Sequence, residues 1–107
     1  MRSIDTPDAL AKRLLQLFPP FAAELRGEAV ESYNQVIQRL APVVTSYLEG
    51  SPERTVKCFC ELINLMADAG GETENAIATC LLEHASQVKV RKIIAPHLGA
   101  AAKRELR

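Results

Sequence analysis

This sequence is notable first for what it withholds. It has no tryptophan and only five aromatic residues (Phe18, Phe21, Phe59, Tyr33, Tyr47), so a core must be assembled from Leu, Ile, Val and Ala, a mixture that suits helices. It has no apolar run near the roughly eighteen residues needed to cross a bilayer, and Asp5 and Asp8 interrupt the stretch where a signal peptide would be apolar. A cytoplasmic protein is expected. Its net charge is zero, which argues against a dedicated nucleic-acid binder. Its three cysteines, an odd number, point to free thiols in a reducing compartment rather than a disulfide framework. At 107 residues the chain suffices for one domain with its own core, and is short for a deep cleft between lobes.

What is present is helical punctuation. Thr6-Pro7-Asp8 is a helix start, because Thr caps, Pro tolerates the first helical position and an acid suits the positive end of the dipole. Leu10, Leu14, Leu17 and Phe18 then recur at helical spacing until Pro19-Pro20, and a short turn of helix is expected through Phe21 and Leu25 to Gly27. From Glu28 a stripe of Val30, Tyr33, Ile37, Leu40, Val44 and Tyr47 predicts a helix to Gly50, kinked or broken at Pro42. Ser51-Pro52-Glu53 starts the next, with Val56, Phe59, Cys60, Ile63, Met66 and Ala67 on its buried side and a stop at Gly70-Gly71.

A further helix follows, with Glu72 and Glu74 in its first turn and Ile77, Cys80, Leu81, His84 and Val88 along one side. Alternation through Val88 and Val90 is faintly strand-like, but the helical surroundings favour a short helix, a bend at Pro96 and a last turn or two prone to fray. The expected fold is all-α: an antiparallel bundle of about five helices, with a core over residues 5–98, a basic tail over 99–107 and a HEAT-like helical hairpin over 51–86. One such pair cannot form a solenoid, since about three repeats are needed to bury a continuous core.

Candidate chemistry is thin. Glu83 and His84 are adjacent on a helix and point apart, with no second His four residues on, so no zinc-protease arrangement exists. Cys80 lies one turn from His84, yet falls between Ile77 and Leu81 on the apolar stripe and reads as packing. Cys58 and Cys60 point about 200° apart on a helix and cannot close on one metal. Gly70-Gly71 lacks the preceding strand and following Lys-Ser or Lys-Thr of a phosphate loop. No catalytic set, metal or cofactor is implied, and a non-enzymatic role is expected.

Charge is less evenly spread than its total suggests. Residues 1–50 carry minus one, 51–86 minus four and 87–107 plus five. Glu53, Glu61 and Asp68, spaced by eight and seven, fall near one helix face; with Glu72, Glu74, Asn75 and Glu83 they form a candidate docking surface for a basic partner. Lys89, Arg91, Lys92, Lys103, Arg104 and Arg107 offer the alternative of a small nucleic-acid-binding or regulatory module, against which stand a pI near 6.7 and the absence of interleaved aromatics.

The segments "LLQLFPPF", "FCELINLMADAG" and "ENAIATCLLEHA" resemble those of a family of small, all-helical, uncharacterised bacterial domains, over most of the chain from Leu14 to about Leu98. Such domains are similar to immunity proteins of polymorphic toxin systems, including contact-dependent growth inhibition. The resemblance implies a protein that binds and neutralises a cognate toxin domain, a basic nuclease being one such target, and it brings no catalytic residues.

Overall fold

The computed structural model describes residues 5–80 and 88–105. Helix α1 (Pro7–Leu17) opens as its sequence dictates: the Thr6 hydroxyl accepts from the Ala9 amide at 3.0 Å, and Pro7 occupies the first turn, where no donor is needed. Pro19 and Pro20 end it, and α2 (Phe21–Leu25) stops at Arg26 and Gly27, both at positive φ. Residues 28–32 are not helical, so α3 (Tyr33–Tyr47) starts later than the apolar stripe predicts.

The reason is a cap. Ser32 Oγ accepts from the Gln35 amide at 3.1 Å, while Gln35 Oε1 accepts from the Glu31 amide at 2.6 Å, a close variant of the capping box that fixes the start. Gln35 Nε2 also donates to the Ala29 carbonyl at 3.0 Å, and Arg39 pairs with Glu28 at 3.2 Å, tying the extended entry to the helix it precedes.

Helix α3 is also not broken at Pro42. A proline inside a helix costs about 3 kcal/mol, whereas Val36, Ile37, Leu40, Val43 and Val44 are buried on both sides of it and contribute roughly 1.5–3 kcal/mol each. Burial therefore wins, and the proline ring lies on the exposed side.

A 3-10 turn (Leu48–Gly50) leads to α4 (Glu53–Ala69), whose buried side is the predicted one, with Leu62 added. Gly70 alone lies between it and α5 (Gly71–Cys80). Helix α5 packs against both α3 and α4 and buries Ala76, Ile77 and Ala78 in succession, so it is the central helix of this part of the bundle. Then come α6 (Val88–Ile94), a 3-10 turn (Ala95–His97) and α7 (Ala100–Glu105). The segment with strand-like alternation is thus helical from Val88, and of the residues 99–107 expected to fray, Ala100–Glu105 form a helix docked through the buried Ala102, while 106 and 107 lie outside the described residues.

The result is an all-α bundle with no strand among the described residues. Seven α-helices are described where about five were expected, because the C-terminal stretch divides at Pro96 into α6 and α7 and the short turn after Pro20 is a helix of its own. Phe18 is the junction of the core: its ring meets Phe59 edge-on at 5.1 Å and Tyr47 at 5.9 Å, joining the ends of α1 and α3 to α4. No helix is long and apolar enough to cross a membrane among the described residues.

Candidate functional site

The acidic surface is built on α4 and on the corner where it meets α5. At 100° per residue, Glu53, Glu61 and Asp68 fall within about 80° of one another, and all three are exposed. Fifteen residues separate the first from the last, about 22 Å along the axis, so they form a stripe rather than a cluster. Lys57 lies within that stripe and pairs with Glu53 at 3.7 Å. This exposed pair adds little stability, but it offsets the charge at the N-terminal end.

The unbalanced acids lie further along. Glu61, Asp68, Glu72 and Glu74 make no ion pair among the described residues, and Asp68 and Glu72 stand on either side of the Gly70-Gly71 corner. Gly70 adopts φ 74° and ψ −176°, a conformation open essentially to glycine alone, which lets α5 begin at once. The corner thereby fixes how far apart the two acids sit.

Glu72 and Asn75 face a different neighbour from the α4 stripe. With Ser32, Tyr33 and Asn34 from the start of α3 they line a polar cleft of about 100 Å³. Glu74 projects about 160° away from Glu72 around the same helix and is partly buried, so it does not share that cleft. Glu83 lies outside the described residues, as do Leu81 and His84, and of the Cys80 side chain nothing is described. The seven candidate residues therefore divide into a paired Glu53, an open α4 stripe of Glu61 and Asp68, a Glu72-Asn75 cleft, a separate Glu74 and an undescribed Glu83.

Leu65 is a residue that the charge pattern did not single out. It is 36% exposed, four residues after Glu61 and three before Asp68, and so sits between them on the outer face of α4. Its position off the buried stripe was the available signal. An apolar side chain flanked by two exposed acids combines an anchor with orienting charge.

The basic residues Arg91 and Lys92 on α6, and Lys103 and Arg104 on α7, are exposed and make no ion pair with any described acid. By contrast Asp8 pairs with Lys12 at 3.2 Å, and Glu28 with Arg39. Glu61 approaches the C-terminal segment through a shallow depression of about 220 Å³ that it lines with Lys57 and His97.

Cys60 is buried, its Sγ 3.8 Å from the Ile94 carbonyl, and burial pushes its thiol up from 9.0 to about 11. Such a thiol is protonated at neutral pH and behaves as a packing group. Cys58, two residues away, is only partly buried and points elsewhere. Among the described residues, no three His, Cys, Asp or Glu side chains gather where they would hold a metal. No family model, curated protein or solved structure matches the chain.

Proposed function

We propose that this protein is a non-enzymatic binding protein whose α4–α5 face docks a basic protein surface, and that it serves as a bacterial immunity protein, neutralising a toxin by occlusion. The observation that carries the reading is the pair of exposed acids Glu61 and Asp68, without an ion pair among the described residues, on either side of the exposed Leu65 along α4. A nuclease toxin must attract phosphate and so presents cations around its catalytic centre. Carboxylates held on a rigid helix imitate that phosphate charge, speed encounter and set orientation, while an apolar contact slows release. Placement on helices rather than loops keeps the charges in register for a partner.

The test is capture by the tagged protein at low and moderate salt, followed by association kinetics with the retained partner. A basic toxin domain encoded nearby is the expected prey. Glu61→Lys with Asp68→Lys should lower the association rate at least about tenfold at low salt, and the unfolding midpoint should stay within about 0.5 kcal/mol, since both positions are exposed. Unchanged binding removes this face from the mechanism. The unpaired Arg91, Lys92, Lys103 and Arg104 favour a second reading, contact with nucleic acid. Retention of nucleic acid alone, lost as salt rises, would transfer the function to that surface.

A further inference from the structure

We propose that residues 95–105 form a strap that opens from α4 as a unit, while the rest of the bundle stays folded, and that the Asn64 side chain is its catch. The catch is geometric. Asn64 Nδ2 donates to the His97 carbonyl at 3.2 Å, and the Gly99 amide donates to Asn64 Oδ1 at 2.8 Å. Between those two groups lies Leu98, in extended conformation at φ −87° and ψ 142°. One carboxamide thus pairs with the main chain on both sides of an extended residue, as a neighbouring strand would, across 33 and 35 positions of sequence.

The boundary of the strap is equally defined. Ile94 is fully buried and its carbonyl lies against Cys60, so the chain is fixed there; immediately afterwards the helix gives way to a 3-10 turn containing Pro96. Beyond that turn, among the described residues, Leu98 and Ala102 are buried and Ala101 is half-buried against the core. Helix α7 has six residues, and helices that short do not persist unsupported. Release of the catch therefore undoes α7 together with the turn, in one step, against, among the described residues, the apolar contacts of Leu98, Ala101 and Ala102 and the two hydrogen bonds of Asn64. The core around Phe18 is attached by far more, which separates the two events in free energy.

Opening would alter the face beside it. The strap carries His97, which borders the depression shared with Glu61, and two exposed cations, Lys103 and Arg104. Its departure uncovers the carboxamide of Asn64 and removes His97 from the depression it shares with Glu61. The strap does not depend on what that stripe binds.

Native-state hydrogen exchange on the full chain tests this. The Gly99 amide, bonded to Asn64, and the Lys103 amide, bonded to the Gly99 carbonyl at 3.0 Å, report the strap; the Ile63 amide reports α4. Strap amides should exchange faster than Ile63 and with a weaker dependence on low urea. Asn64→Ala should speed Gly99 and Lys103 by about tenfold to a hundredfold, the loss of two hydrogen bonds. Phe18→Leu should speed Ile63 by about tenfold and leave Lys103 unchanged, because it weakens the bundle equally in the closed and strap-open states. Equal acceleration of Lys103 and Ile63 by Phe18→Leu, or no effect of Asn64→Ala on Lys103, would overturn the proposal. Should Phe18→Leu fail to fold, wild-type strap amides whose urea dependence equals that of Ile63 would do the same.

Discussion

Gly70 offers a prediction in which strain and crowding can be separated. At φ 74° and ψ −176° an L-residue is held in a region it rarely occupies, at a cost of about 1–3 kcal/mol. Crowding contributes nothing, since a Cβ built at this position meets no atom within 4 Å. Replacement by L-Ala also restricts the unfolded chain, which offsets about 0.4–1 kcal/mol. The net expectation for Gly70→Ala is a loss of about 1–2 kcal/mol, or roughly 4–16 °C in melting temperature for a domain of this size. D-alanine, introduced by chemical synthesis and ligation, inverts the argument: it fits positive φ and retains the entropic gain, so it should raise stability by about 0.4–1 kcal/mol. Chemical denaturation of the three proteins is the assay. A neutral L-Ala variant, or D- and L-Ala variants of equal stability, would refute the claim that backbone conformation at the corner is what requires glycine.

The remaining predictions concern the core and the caps. Because the Cys60 thiol titrates near 11 in the folded state against 9.0 for an unburied thiol, stability tied to it is fully present below pH 9 and declines as pH rises from 9 toward 11; urea midpoints at pH 8 and 10.5 should diverge more in wild type than in Cys60→Ala, and parallel curves would contradict it. At neutral pH, alkylation of folded protein should modify Cys58 before Cys60, as read by mass spectrometry. Gln35→Ala should cost about 1 kcal/mol and release residues 28–31 to faster exchange at the Glu31 amide; retained protection would deny the side chain its capping role. A double-mutant cycle between Phe18→Leu and Phe59→Leu should give a coupling of about 0.5–1.5 kcal/mol, and a value near zero would remove the edge-on ring contact from the account of the core.

Much of this architecture could be read from spacing and punctuation. Thr6-Pro7 and Gly70-Gly71 are stop and start signals because they act through the local backbone, and the α4 stripe from Val56 to Ala67 has one period and no interruptions. Ser32 was legible too, as a serine three residues before Gln35, but the apolar positions Val30 and Tyr33 suggested a helix already under way. At Pro42 the alternative of a break failed for another reason: the proline's cost is local and visible, while the burial that outweighs it is made against neighbours on other helices. Glu53, Glu61 and Asp68 do lie on exposed positions of α4, yet sequence spacing gave no view of Lys57 pairing with Glu53 or of Glu72 turning toward the start of α3. Asn64 was silent altogether, because its partners lie more than thirty residues away and are main-chain atoms, which carry no signature of their own.

The division of charge between α4–α5 and α6–α7 also governs how molecules of this protein meet one another in concentrated solution. Near its pI of about 6.7 no net repulsion keeps copies apart, while unpaired carboxylates on one copy can face unpaired guanidinium and ammonium groups on the next. Electrostatic attraction of this kind reaches about 30 Å at 0.01 M salt and about 8 Å at 0.15 M, so added salt disperses the molecules instead of precipitating them. A purification buffer of low ionic strength and neutral pH is therefore where the protein should turn cloudy, and modest sodium chloride should clear it.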